Sequence, residues 1–156
     1  MEWTEERLYF PVATYFRSKG YRVYREVKVA KRWVDLLAVG KDVVAVELKI
    51  RDWRKALKQA MSYQLGTHYA LVAMPLDHVF AAMKGREMFE KEGVGLLAVS
   101  GPAGSIRMMI EPQASPRLMP FVLDGVLSGE DGTPVKPARR RKIPVVTIQG
   151  FDEDIE

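Results

Sequence analysis

The sequence contains no cysteine and only two histidines. The lack of cysteine excludes disulfides, thiolate metal sites and cysteine nucleophiles, and two histidines are too few for a histidine-rich zinc centre. No stretch of the sequence approaches the ~20 consecutive apolar residues that a membrane-spanning helix needs, and the first residues are acidic, unlike the basic start of a signal peptide. We therefore expect a cytoplasmic protein with no membrane partner, whose chemistry uses other side chains.

What the chain does contain is a surplus of positive charge in its first half. Its 156 residues suit a single globular domain, and the formal net charge is +4. Residues 1–68 hold 14 Lys and Arg against 8 Asp and Glu, whereas residues 69–156 hold 10 against 12. Clustered cations neutralise phosphates and release counterions. The first half is therefore the better candidate for binding a nucleic-acid backbone.

The hydrophobic periodicity predicts an α/β fold with a mixed central sheet flanked by helices. Short turns between successive strand-type runs predict an antiparallel meander, and strand–helix–strand units predict parallel pairs with right-handed crossovers. The predicted strands are 21–27, 33–39, 43–49, 67–75, 93–100 and an edge strand at 105–111. The predicted helices are 4–18, 53–65 and 77–92. Pro11 predicts either a kink in the first helix or a start nearer Phe10.

The last part of the chain carries weaker structural signals than the first 111 residues. The segment LMPFVLDGVLSG predicts a short helix, and the residues after it are rich in proline, glycine and charge. Such a composition is typical of a loop or of a docked extended arm. We therefore divide the chain into a domain at residues 1–111 and a C-terminal extension at 112–156 that docks on the domain or on a partner.

Two carboxylates and a lysine are predicted to meet at the ends of adjacent strands. Glu47 and Lys49 are two residues apart in one strand, so their side chains lie on the same face. Asp35 lies in the preceding strand among apolar neighbours, where an ionised carboxylate is costly unless a cation or a donor meets it. Carboxylates bind Mg²⁺, the metal lowers the pKa of a bound water, and a lysine can orient that water and stabilise charge on the phosphate. Metal-assisted phosphodiester hydrolysis requires such a set.

The order of these residues resembles that of the PD-(D/E)XK nuclease superfamily, which includes restriction endonucleases, archaeal Holliday-junction resolvases and RecB-type nucleases. Asp35 is followed by Glu47–Lys49 at the end of the next strand and then by a helix. Val34 stands where the motif often has proline. In the helix, Gln59 and Tyr63 are similar to the Gln-x-x-x-Tyr extension of the RecB-like and exonuclease branches.

The resemblance covers residues 4–100 and implies a restriction-endonuclease-like fold. It implies that Asp35 and Glu47 coordinate Mg²⁺, for which Mn²⁺ can substitute, and that Lys49 positions the attacking water. Gln59 and Tyr63 would help to orient the substrate. The spacing of these last two residues places them on one face of the helix.

Members of the superfamily also tend to carry a glutamate in the first helix, as a further metal ligand or as support for one. Glu5 shares a stripe with the apolar residues of the predicted helix, so we prefer it to Glu6 for this role. Four cations after Lys49 are candidates for contacting the nucleic-acid backbone, with a solvated helix face as the alternative. They are Arg51, Arg54, Lys55 and Lys58.

The sequence therefore predicts a Mg²⁺-dependent deoxyribonuclease, with DNA as its partner by resemblance. It leaves open a monomer, a homodimer or a subunit of a repair or defence assembly. The alternative function is a catalytically silent nucleic-acid-binding or protein-interaction module with the same fold, and the alternative for the charged residues is a cross-strand salt bridge. Trp33 could stack on a base, but core packing is the favoured interpretation.

Overall fold

The computed structural model describes residues 2–101 and 104–129, which form six strands and five helices. The strands are β1 (Arg22–Val29), β2 (Arg32–Val39), β3 (Val43–Leu48), β4 (Tyr69–Pro75), β5 (Gly95–Ser100) and β6 (Ser105–Ile110). The helices are α1 (Glu5–Ser18), α2 (Trp53–Tyr63), α3 (Leu76–Met83), α4 (Arg86–Glu92) and α5 (Pro120–Ser128). None of these helices has both the length and the apolar character needed to cross a membrane.

The strands form one sheet whose spatial order follows the chain order, from β1 to β6. β1, β2 and β3 pair antiparallel as a meander, β4 pairs parallel with both β3 and β5, and β6 returns antiparallel to β5. Helix α2 connects the first parallel pair, and α3 with α4 connects the second. The prediction of an α/β protein with a mixed sheet, including the edge strand, is therefore confirmed.

A two-residue turn joins β1 and β2. Ala30 and Lys31 form it with φ angles of 50° and 66°, and the flanking residues Val29 and Arg32 pair across the two strands. Positive φ at both central positions is typical of a type I′ turn, whose twist matches that of two paired strands. The turn fixes the register of the hairpin and, with it, the position of Asp35 in β2.

Helix α1 runs from Glu5 to Ser18 although Pro11 lies inside it. The Thr4 side chain accepts a hydrogen bond from the Arg7 N–H at 3.1 Å and caps the first turn. The apolar stripe of the helix is buried and consists of Leu8, Tyr9, Val12, Ala13 and Phe16. Burial of this stripe offsets the backbone hydrogen bond that proline cannot make. The helix therefore begins next to Thr4 and not near Phe10.

The sheet separates two layers of helices. Helix α1 covers one face, and its stripe packs on alternate strand residues that include Leu36, Val46 and Leu71. Helices α2, α3 and α4 cover the other face over β4 and β5. Helix α5 covers that second face over β1 and β2, where Val126 packs with Tyr63. Glu47 has the strand parity of Val43 and Ala45 on this second face, so α2 lies over it.

The helix predicted at 77–92 is two helices, so that prediction is wrong. Gly85 lies between α3 and α4, and a Cβ at this position would lie 2.1 Å from the Trp53 ring. Trp53 is the buried first residue of α2. The break lets the indole pack directly against the backbone at Gly85. Periodicity within residues 77–92 carries no signal of this contact, because the tryptophan comes from another part of the chain.

Residues 112–129, the described part of the C-terminal extension, dock on the domain. Arg117 donates hydrogen bonds to the Gln64 side chain and to the Glu92 carboxylate. The short helix predicted in this segment is present as α5. Residues 130–156, the remainder of the predicted extension, lie outside the described residues.

Candidate active site

Asp35 and Glu47 face each other where β2 and β3 separate, a place that we call the fork. The paired register of the two strands ends at Leu36 opposite Val46, and one step further along it Asp35 lies opposite Glu47. The hydrogen bond at this step comes from a side chain, since Oδ2 of Asp35 accepts from the Leu48 N–H at 2.8 Å. The structure therefore brings together the two carboxylates that the sequence nominated.

The pairing of β1 with β2 is also interrupted beside Asp35. The residues before and after this position pair regularly, whereas Glu26, which lies opposite Asp35, has a φ of 52°. The left-handed region is sparsely populated by residues with side chains, and such conformations are common near functional sites. Asp35 thus lies at a gap in the strand pairing on both of its sides.

Glu47 is the more enclosed of the two carboxylates, with 5% of its surface exposed. Its Oε1 accepts a hydrogen bond from the Tyr63 hydroxyl at 2.6 Å. The same hydroxyl lies 3.0 Å from the main-chain oxygen of Trp33, so Tyr63 connects α2 to both strands of the fork. Tyr63 therefore positions a carboxylate, a direct contact that the sequence did not indicate.

Both carboxyl groups of the fork have raised pKa values. Burial, together with the charge of Asp35, raises the pKa of Glu47 from 4.5 to about 7, although the Tyr63 hydrogen bond lowers it. Burial also raises the pKa of Asp35, against the lowering effect of the hydrogen bond from Leu48. The positive charge nearby does not offset the burial of two neighbouring carboxyls, so their protonated forms are favoured more than they are in water.

Lys49 and Glu5 act on this pair through their charges. Lys49, half-buried after the end of β3, lowers the pKa of both carboxyls, and Glu5, at the start of α1, raises both. Glu6 is occupied elsewhere, because its carboxylate forms an ion pair with Arg25 at 2.7 Å. Glu5 is therefore the glutamate whose charge reaches the fork. Its side chain is exposed, and its role as a ligand stays a prediction.

Gln59 lies one helical turn before Tyr63, so the two side chains share a side of α2. Its Oε1 atom is buried and has no hydrogen-bond partner among the described residues. A buried amide oxygen without a partner costs about 1–3 kcal/mol. This atom is therefore available to a water or a ligand near the fork.

The four predicted backbone-binding cations are exposed and follow the fork in the chain. Arg51 precedes α2, and Arg54, Lys55 and Lys58 lie within the helix. Within residues 2–101 and 104–129, none of the four forms an ion pair with a carboxylate. The Arg54 guanidinium lies over the Trp53 ring at 4.4 Å. The charges of this group are thus open to an external anion.

Trp33 is not in the core, so that interpretation of the sequence is wrong. Its side chain is 60% exposed. The reason is that its neighbour Val34 packs in the core with Tyr63 and Val126, so the Trp33 ring points to the other face of the hairpin, where Lys28 lies beside it. The sequence also missed the role of the Trp33 main-chain oxygen as a neighbour of Tyr63, because a backbone atom leaves no residue-type signal.

The donor atoms at the fork suit a hard divalent cation. Within the described part of the chain no group of three or more His, Cys, Asp or Glu side chains is placed to hold a metal ion, so Asp35 and Glu47 are the two carboxylates on offer. Magnesium is commonly bound through one or two carboxylates, with waters and phosphate oxygens as its other ligands. A divalent cation would also add positive charge beside the two buried carboxyls. The residues present therefore fit Mg²⁺ or Mn²⁺.

Comparisons of the chain with protein-family models, with curated proteins and with solved structures gave no match. The resemblance described above therefore depends on these residues and on their arrangement alone.

Proposed function

We propose that this protein is a metal-dependent nuclease of the PD-(D/E)XK type, which hydrolyses phosphodiester bonds of DNA. The observation that carries the proposal is the pair formed by Asp35 and Glu47 at the fork, with the charge of Lys49 beside it. A buried pair of like charges destabilises a fold, and perturbed pKa values of this kind cluster at functional sites. The order of elements from α1 to β4, a helix, a meander, a helix and a parallel strand, supports a restriction-endonuclease-like fold.

Asp35 and Glu47 would hold the metal through the oxygens that their hydrogen bonds leave free. Oδ2 of Asp35 is bonded to Leu48, and Oε1 of Glu47 is bonded to Tyr63. Oδ1 of the aspartate and Oε2 of the glutamate take part in neither of these two bonds and would be the ligands. When bound, Mg²⁺ supplies a Lewis acid that polarises the phosphate and lowers the pKa of a bound water.

The other side chains of the site orient the reacting groups. The Lys49 ammonium has donors only, so it holds the attacking water or binds the phosphate oxygen on which negative charge develops. Tyr63 keeps Glu47 in one orientation, because its hydroxyl bridges the carboxylate and the β2 main chain. Gln59 offers its free amide oxygen to the substrate or to a water.

Cleavage assays with the purified chain test the proposal. Single-stranded, duplex, flapped and four-way DNA are incubated with Mg²⁺, with Mn²⁺ and with EDTA. We expect metal-dependent cleavage that falls by at least about 100-fold in Asp35→Asn, Glu47→Gln and Lys49→Ala. The matched control is Glu87→Gln, which removes one charge from an exposed position on α4. Absence of cleavage on every substrate, or cleavage that survives the three site variants, contradicts the proposal.

A catalytically silent nucleic-acid-binding module is the second candidate. It is favoured by the number of ligands, since the described residues offer a metal two carboxylates and no third. Calorimetric titration with Mn²⁺ separates the two candidates. Metal binding that is lost in Asp35→Asn supports the nuclease, whereas salt-dependent DNA binding without metal binding supports the silent module.

A further inference from the structure

The end of the β1–β2 hairpin combines positive charge with an exposed aromatic ring. We define this hairpin end as Lys28, Lys31, Arg32 and Trp33. Residues 28–33 contain three cations and no acidic residue. Lys31 and Arg32 are exposed, and the Lys28 Nζ lies 5.1 Å from the centroid of the Trp33 ring. Such a surface suits an anionic partner that carries flat aromatic groups.

The hairpin end lies next to the fork. Trp33 and Asp35 are two residues apart in β2, so their Cα atoms lie about 7 Å apart along the strand. The main-chain oxygen of Trp33 contacts the Tyr63 hydroxyl, which in turn is bonded to Glu47. Burial raises the pKa of Tyr63, and the opposing effect of Arg32 shows that its charge lies near the same hydroxyl. A short segment of a single DNA strand can therefore contact both the hairpin end and the fork.

We propose that the hairpin end binds an unpaired nucleotide, with its base stacked on Trp33 and its phosphates bound by the neighbouring cations. In a duplex both faces of each internal base are covered by other bases, so a single strand, a flap or a frayed end is needed to offer a face to the indole. This inference rests on the proposed function and adds a substrate class to it, namely DNA with unpaired nucleotides beside the cleaved bond.

The alternative for Trp33 is a surface ring that only contacts Lys28. The two cases differ in what happens when the ring is removed. A stacking contact to a base contributes to binding through the aromatic face and tolerates another aromatic residue, whereas a surface ring contributes nothing to binding. Binding by alanine and phenylalanine variants therefore separates them.

Binding is measured by fluorescence anisotropy of a short labelled DNA strand with the full chain in EDTA, so that cleavage does not interfere. We expect Trp33→Ala to weaken binding about ten-fold or more and Trp33→Phe to stay within about three-fold of the wild type, because the ring is retained. The matched control is Phe10→Ala. Phe10 is 56% exposed, similar to Trp33, but it lies beside Gly104 and Ile106 at the β6 edge of the sheet, whereas the hairpin end lies at the β1 edge. It should bind like the wild type.

Two further measurements examine the same contact. DNA should quench the tryptophan fluorescence of the wild type and quench Trp33→Phe much less, because the other two tryptophans are less exposed. Lys28→Ala should reduce the slope of log K against log salt by about one, whereas Trp33→Ala should leave it unchanged. A stacking ring and a phosphate-binding cation thus leave different signatures.

Several outcomes would overturn the inference. They are wild-type binding by Trp33→Ala, equal loss in the alanine and phenylalanine variants, tighter binding of a blunt duplex than of its single strand, and no nucleic-acid binding. The outcome for the nuclease is separate. If DNA binds through Trp33 but no DNA is cleaved with metal, the binding site stands and the proposed nuclease function is contradicted. If DNA is cleaved with metal and Trp33→Ala changes neither binding nor cleavage, the nuclease function stands and the binding site is contradicted.

Discussion

Replacing Glu47 with glutamine should make the metal-free protein more stable at alkaline pH while abolishing its proposed activity. Folding raises the pKa of Glu47 from 4.5 to about 7, chiefly through burial. A difference of roughly 2.5 pKa units corresponds to about 3 kcal/mol of unfolding free energy at about 1.36 kcal/mol per unit. Since the carboxyl is almost fully buried, solvent screening reduces this figure little.

The direction in which the unfolding free energy changes with pH depends on whether the folded or the unfolded state binds the Glu47 proton more tightly. The raised pKa means that the folded protein holds the Glu47 proton more tightly than the unfolded chain does. This contribution is fully present below about pH 4.5 and is lost as the pH rises through about 7. Glutamine carries no titrating proton but can still accept the hydrogen bond from Tyr63, so the variant should escape the loss.

Urea unfolding in EDTA at a series of pH values measures the effect. The free energies of unfolding of the wild type and of Glu47→Gln should be similar at about pH 4. At about pH 8 the free energy of unfolding of the variant should be larger by about 3 kcal/mol. For a chain of this size the latter difference is an increase in Tm of about 6–12 °C. Mg²⁺ should narrow the gap by stabilising only the wild type. The control Glu87→Gln should have the stability of the wild type at every pH. The reasoning is refuted if Glu47→Gln is less stable than the wild type at alkaline pH, or if the difference in unfolding free energy between them does not depend on pH.

Three other expectations follow from the same structure. The apparent Mg²⁺ affinity should rise by up to about ten-fold per pH unit below about pH 7, because the Glu47 proton must leave, and calorimetry in buffers of different ionisation enthalpy should detect its release. Tyr63→Phe removes a hydrogen bond that lowers the Glu47 pKa, so the acid limb of the pH–activity profile should move to higher pH and stability should fall by about 1 kcal/mol. Gly85→Ala should cost at least about 2 kcal/mol in thermal unfolding, because its Cβ would overlap the Trp53 ring, whereas Lys84→Ala on the exposed neighbour should be nearly neutral.

The pairing of Asp35 with Glu47 at the fork could be predicted from the sequence because it depends on local patterns, namely strand alternation and turn length. Glu47 and Lys49 are two residues apart in a strand, so their side chains share a face. The turn between β2 and β3 is short, which restricts how the two strands can pair and places Asp35 opposite Glu47. The mixed sheet was accessible for a similar reason. Strand-type runs separated by short turns pair with their neighbours, and runs separated by a helix pair parallel.

Two features could not be predicted from the sequence, because each depends on how one element packs against another. Trp33 was expected inside because it lies in an apolar run, but its exposure follows from Val34, which takes the core-facing position and leaves the indole on the other face of the hairpin. The break at Gly85 depends on Trp53, which packs there from the start of another helix. Neither relation can be obtained from the periodicity of one segment.

The agreement between the order of the strands in space and their order in the chain bears on how the protein is made. No strand has to be inserted between two that are already paired, so the sheet can grow by addition at one edge as synthesis proceeds. Every residue of the candidate site, from Glu5 to Tyr63, is synthesised before β4. At that stage the edge of β3 that will pair with β4 is still without its partner strand. A ribosome that pauses before β4 has emerged from it would leave that edge exposed to other nascent chains, so this interval of synthesis is the one in which aggregation has to be avoided.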